Sequence, residues 1–287
     1  MSRFKIFFFV FIFLITQLIL TSGAWAWGPA IHTFIACSIL EEISGILPSI
    51  ASFIRPFSLE YVYGSMSADF FIGKGQKKRD GHPHNWETGF RLLGEANDKR
   101  EAAYAYGFLS HLAADVVAHN YFVPDMIHRV FTWKRIGHMY SEVIADKSVS
   151  HIYMKIAKGV LSMESLGCDR LLRSAVRRSR YGLKTRRRLF TQTVKMSDYL
   201  FYLPRMSIVN GRSRYQISHD YLAFMIGLSY RLVKDLLSYP DSSPCLSYDP
   251  IGSQNLHLAS QNGVISKLFN NHHPKYQFSV DKELLEL

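Results

Sequence analysis

The sequence predicts an all-α protein. Apolar residues recur three or four apart in the segments that can be read clearly, and no region is rich in strand signals or internally repeated. Within Gly107–Asn120, moreover, three metal-capable side chains, His111, Asp115 and His119, recur every four residues. At about 100° per residue they drift only about 40° per step, and so form one stripe about 12 Å long on a helix. At 287 residues and 48% hydrophobic, the chain can bury a large core, which excludes a disordered protein.

The first 26 residues read as a secretory signal peptide: a basic start (Arg3, Lys5), an apolar run from Ile6 to Leu20 broken at Thr16-Gln17, and a small-x-small pattern at Ala24 and Ala26. The apolar run is short for a membrane span. Cleavage after Ala26 would make Trp27 the first residue and place the protein outside the cytoplasm, secreted or periplasmic. Loss of Arg3 and Lys5 takes the formal charge from +11 to +9. A basic protein of this kind attracts lipid headgroups, phosphates or nucleic acid, and charge alone does not choose among them. Cys37, Cys168 and Cys245 have no C-x-x-C spacing, so neither a cysteine zinc site nor a disulfide framework is indicated.

From Ala30 to Leu47 the apolar spacing predicts a helix with His32 in its first turn and a stop at Pro48. Residues 49–63 predict a short helix interrupted near Pro56, leading to Asp69 in an apolar, small-residue context. A polar loop with Lys74, Lys77, Lys78 and Arg79 follows, then His82-Pro83-His84. The organising helix runs from Glu101 to Asn120 and ends before Pro124. A further helical segment over 125–149 carries His138 and Glu142, again four apart on one face. His128 and His151 fall outside these spacings and read as ordinary surface or helix-end histidines.

Residues 152–240 continue helical, and nine basic residues fall within 170–188 without an acidic one: Arg170, Arg173, Arg177, Arg178, Arg180, Lys184, Arg186, Arg187 and Arg188. They form either a solvated face or a contact with an anionic surface. Composition then divides the chain into the leader (1–26), an all-α domain (27–240) and a loosely structured C-terminal extension (241–287). His272-His273 in that extension reads as incidental.

Without thiolates, zinc takes histidine nitrogen and carboxylate oxygen, three or four protein ligands per ion. Five histidines (His32, His84 or His82, His111, His119, His138) and three carboxylates (Asp69, Asp115, Glu142) exceed one ion's needs and suit a cluster. Asp115, between two histidines on one helix, has two oxygens with which to bridge.

The order Trp27, His32, Asp69, His84, His111-x-x-x-Asp115, His119 and His138-x-x-x-Glu142 resembles the zinc-dependent phospholipase C family, relatives of the trinuclear-zinc S1/P1 nucleases. The resemblance covers roughly residues 27–145. It implies a multi-helix phospholipase C/P1 nuclease-like fold with three zinc ions. Asp69, His84, His111 and Asp115 would hold one; His119, His138 and Glu142 a second; and Trp27, through its free amine and carbonyl, with His32 and the bridging Asp115, a third. His84 is preferred to His82 because its separation from Asp69 is nearer the family's. Asp69 would also orient the attacking water.

The expected activity is phosphodiester hydrolysis, with a phospholipid as substrate and contact with an anionic membrane surface. Nucleic acid is the alternative substrate, and a non-enzymatic zinc-containing surface binding protein a third reading. The interval from Asp115 to His119 is shorter than in the best-known secreted members, so the pattern speaks more to metal than to substrate.

Overall fold

The computed structural model describes residues 27–71, 81–130, 145–163, 166–176, 182–202, 218–259 and 278–287. The leader, the basic loop at 74–79, His138, Glu142, Arg177, Arg178, Arg180 and His272-His273 lie outside the described residues, as does the side chain of His128. All regular structure among the described residues is helical, so the predicted class holds.

Helix α1 (Pro29–Glu41) begins with proline at a position where its missing N–H costs nothing, and buries Ile31, Ile35 and Ile39. It ends six residues before the apolar pattern does. A 3-10 turn (Ile43–Gly45) intervenes, and Pro48 opens α2 (Pro48–Ile54) rather than closing the preceding helix. Pro56 interrupts as expected, in a 3-10 turn (Arg55–Phe57). The next helix, α3 (Ser58–Ser67), then runs straight into the 3-10 turn Ala68–Phe71 that carries Asp69. Helix α4 (Trp86–Gly94) follows the His82–His84 turn.

Helix α5 (Lys99–Val117) is the hub, with α2, α3, α4 and α10 (His219–Ser238) packed around it. Asp98 caps it, accepting the Glu101 N–H at 2.8 Å. From Ala102 to Val117 every residue but Tyr106 is buried, which marks a helix enclosed on all sides.

Its closest neighbour is α3, and the contact is made by glycines. A Cβ on Gly107 would lie 2.0 Å from the Tyr61 carbonyl oxygen, and one on Gly64 would lie 2.1 Å from that of Tyr104. Backbone cannot yield as a side-chain tip can. Gly107→Ala is therefore expected to destabilise the protein by about 3 kcal/mol, at the upper end for overpacking, read as the shift in a urea unfolding midpoint. An unchanged midpoint would refute the close crossing.

The helix does not stop before Pro124. It passes through a π-turn (Ala118–Phe122) into α6 (Val123–Val130). Val123 N–H reaches back five residues to Ala118 O, and the wider turn accommodates the proline ring. Pro124 has no N–H to offer Asn120 O, and Asn255 Nδ2 supplies the missing donor at 2.9 Å.

The stretch expected as one run of helix over 152–240 contains, besides α10, α7 (His151–Ser162), α8 (Leu166–Ala175) and α9 (Leu183–Tyr202). His151 stands at the start of α7, where Nε2 meets Asp198 Oδ1 at 2.5 Å. The segment after Pro240 is not loose where it is described. A 3-10 turn (Pro244–Ser247), a helical stretch at 253–259 and α11 (Lys282–Leu285) bury Cys245, Leu256, Ala259 and Leu284. Burial of these apolar side chains outweighs the turn-rich composition that suggests an extension. The three cysteines are free thiols. No helix among the described residues is long and apolar enough to cross a membrane.

Candidate metal centre

His111 and Asp115 project from consecutive turns of α5, and four other elements bring side chains to them. His32 comes from the first turn of α1, Asp69 from the 3-10 turn after α3, His84 from the turn before α4, and His119 from the π-turn. All six are buried. Most of the sequence-predicted set thus meets in one place, although its members lie up to 87 positions apart in the chain.

Asp115 is the centre of the arrangement. Its Oδ1 lies 3.4 Å from His32 Nε2, while its Oδ2 lies 3.3 Å from His84 Nε2 and 3.1 Å from His111 Nε2. The two oxygens of one carboxylate face different histidines. Asp69 Oδ1 closes the second group, 3.4 Å from His84 Nε2 and 3.7 Å from His111 Nε2. The two Nε2 atoms of His84 and His111 stand 3.2 Å apart.

These distances test whether a zinc ion fits. Zinc bonds of 2.0–2.2 Å in a tetrahedron place neighbouring ligand atoms about 3.3 Å apart. Five of the six separations among Asp69 Oδ1, His84 Nε2, His111 Nε2 and Asp115 Oδ2 span 3.1–3.7 Å, so these atoms fit one ion. His32 Nε2 and Asp115 Oδ1 are buried without a hydrogen-bond partner, an arrangement that another ion on the far side of the Asp115 carboxylate would fit. His32, Asp69 and His111 also bring one ligand atom each within 4.8 Å of one another.

The histidines are oriented by backbone carbonyls. His111 Nδ1 lies 2.9 Å from Ser65 O and His119 Nδ1 lies 2.6 Å from Pro250 O. A carbonyl only accepts, so each Nδ1 carries the proton and each Nε2 is the nitrogen able to ligate a metal. The glycine crossing of α3 and α5 is what brings Ser65 O within reach of His111. His32 stacks on His111 with ring centroids 4.0 Å apart. His84, rather than His82, enters the cluster. His82 is turned to the backbone, where its Nδ1 accepts the His84 N–H at 3.1 Å.

Electrostatics follow from burial against charge. Burial pulls the His84 imidazole down, but hydrogen bonds and charge from Asp115 and Asp69 outweigh it and raise its pKa to about 9. His111 is raised by the same balance. In His32 and His119 burial wins and the pKa falls. Burial opposes ionisation of Asp115, yet the charges of His111 and His119 hold it well below the usual carboxylate range. Without metal, then, the Asp115 carboxylate favours the protonated forms of His84 and His111.

Trp27 is fully buried. Its indole N–H donates to Ser229 Oγ at 2.9 Å, and that hydroxyl lies 3.4 Å from Ala114 O, one residue before Asp115. Its ring also stacks on Phe122 at 4.7 Å.

Sequence reasoning missed one side chain and one carbonyl. Asp146 caps α1, accepting the Ala30 and Ile31 N–H groups at 3.3 and 3.1 Å, and so holds the turn that carries His32. Burial raises its pKa to about 7, against those two hydrogen bonds. A Cβ on Gly28 would fall 2.2 Å from its carboxylate, so residue 28 must be small. Four-residue spacing after His138 and Glu142 was the available signal for Asp146. Nothing marks the Pro250 carbonyl, because a backbone acceptor has no side-chain identity.

No curated protein and no solved structure matches the chain. The profile of the zinc-dependent phospholipase C family, however, matches residues 31–178. That span covers more than half of the chain and every member of the cluster from His32 to His119, and on this ground the chain belongs to the zinc-dependent phospholipase C family.

Proposed function

We propose that the protein is a phosphodiesterase of the phospholipase C type that hydrolyses glycerophospholipids with three zinc ions. One observation carries this reading: the Asp115 carboxylate divides its oxygens between His32 and the His84–His111 pair, as a bridge between two ions requires. Asp69, His84, His111 and Asp115 would hold the first ion. His119 would serve the second with His138 and Glu142, and Trp27, His32 and Asp115 would serve the third. The Trp27 amine is free to bind only after cleavage behind Ala26, so export, to the periplasm or beyond, and metal loading belong together.

Zinc, when bound, would polarise phosphate oxygens and make water acidic enough to attack near pH 7. The chain's own residues do the rest. Asp69, with one oxygen on the histidines, uses the other to orient the attacking water and take its proton. Asp69 and His84 are the most exposed of the six, so the substrate approaches on their side.

The basic stretch divides there. Arg186 is buried over the Phe71 ring at 5.6 Å, two residues from Asp69. Arg187 turns inward to Asp169 at 2.8 Å and over the Tyr63 ring at 5.2 Å. Arg170, Arg173, Lys184 and Arg188 remain exposed, and α9 packs on the turn that carries Asp69. That placement supports docking on an anionic membrane.

The test is an assay of the zinc-loaded chain starting at Trp27 on phosphatidylcholine vesicles and on single-stranded DNA. Release of diacylglycerol is expected. Cleavage of DNA alone would make it a nuclease, and tight zinc binding without turnover of either would make it a binding protein.

A further inference from the structure

The segment 249–255, far outside the helix that displays the ligand stripe, closes over the π-turn. We propose that this segment is a positioning clamp for His119, which fixes its ring for one particular ion. The proposal rests on the reading of His119 as a ligand.

Three contacts build the clamp. Pro250 O takes the His119 Nδ1–H at 2.6 Å and so sets both tautomer and ring direction. Asn120, the next residue, spends both amide hydrogens on carbonyls, one on Val116 O within its own helix and one on Asp249 O in the clamp, each at 2.9 Å. Asn255 Nδ2 returns the contact to Asn120 O, the carbonyl that Pro124 leaves without a partner. Two asparagines thus latch the π-turn and the clamp to each other from opposite sides.

The clamp's own shape is determined locally. Asp249 accepts the Ile251 and Ser253 N–H groups at 3.1 and 3.3 Å, which caps the helical stretch at 253–259. Gly252 has φ +62°, and a Cβ there would stand 2.3 Å from His119 O. Only glycine combines that backbone conformation with that approach. A carbonyl placed this tightly orients a metal-capable ring, and loss of such a partner typically costs about 10- to 100-fold in metal affinity or activity.

The experiment compares the zinc-loaded wild-type chain with Asn255→Ala and Gly252→Ala, counting ions after dialysis and following zinc transfer to a chromogenic chelator. Ile50→Ala, a buried change on α2, serves as a destabilised control. Both clamp variants are expected to give up one ion about 10- to 100-fold more readily, while the other ions and those of the control behave as in wild type. Asn255→Ala removes one hydrogen bond and leaves the backbone free of strain, so it reports even where Gly252→Ala fails to fold. Three ions held with wild-type kinetics in Asn255→Ala would overturn the clamp and leave the zinc reading standing. A wild-type chain that binds fewer than two ions would overturn the zinc reading itself.

Discussion

Replacing Asp115 with asparagine is expected to remove two zinc ions and to lower phosphodiester turnover by about a thousandfold or more. The amide keeps the shape of the carboxylate but lacks its charge, and one of its two arms becomes an NH₂ that cannot ligate. Because Oδ1 faces His32 while Oδ2 faces His84 and His111, neither arm can be lost without affecting a neighbouring ion. His32→Ala is the comparison, since His32 touches only one side of the bridge. Metal analysis of both dialysed variants distinguishes the cases. Equal loss of a single ion in the two would show that Asp115 serves one ion and does not bridge.

Stripping the metal is expected to produce a protein whose stability falls as pH rises from about 6.5 to about 9, while its avidity for zinc climbs. His84 is held at about 9 and His111 is also raised, against a usual value of 6.5. Protonated forms of these two residues are favoured in the folded state, so their contribution is complete below 6.5 and disappears as pH passes the folded value. For His84 alone it is on the order of 3 kcal/mol. Zinc needs neutral imidazoles and must displace the protons. Below the raised values each displaced proton makes affinity about tenfold stronger per pH unit, so two make it about a hundredfold stronger. Calorimetric melting of the stripped and loaded proteins at pH 6.5, 7.5 and 8.5 should show the two diverge. A stripped protein that gains stability over this range would contradict the proton assignment.

Legibility in the sequence varied with what each residue's chemistry exposes. His111, Asp115 and His119 were readable because a helical period converts sequence spacing into a shared face, and the structure keeps that face inside the core. The end of that helix is not legible in the same way. Pro124 is a correct local stop signal, and what overrides it is an asparagine 131 positions later. His82 and His84 are equal by type and nearly equal by position, and only packing turns His84 to the carboxylates while binding His82 to the backbone. Asp146 carried a spacing signal that did not stand out, because its partners are backbone N–H groups of a helix more than a hundred residues earlier.

By itself the sequence determined the helical class, and the types and order of the metal-capable residues. Those follow from periodicity and from the chemistry of imidazole and carboxylate, which are properties of residues and their near neighbours. Tertiary structure alone decided which oxygen of Asp115 faces which histidine, which tautomer His111 and His119 adopt, and that the chain beyond Pro240 belongs to the wall of the site. Each of these depends on contacts between segments far apart in the chain, and the tautomers depend on backbone carbonyls, whose position no side-chain identity records.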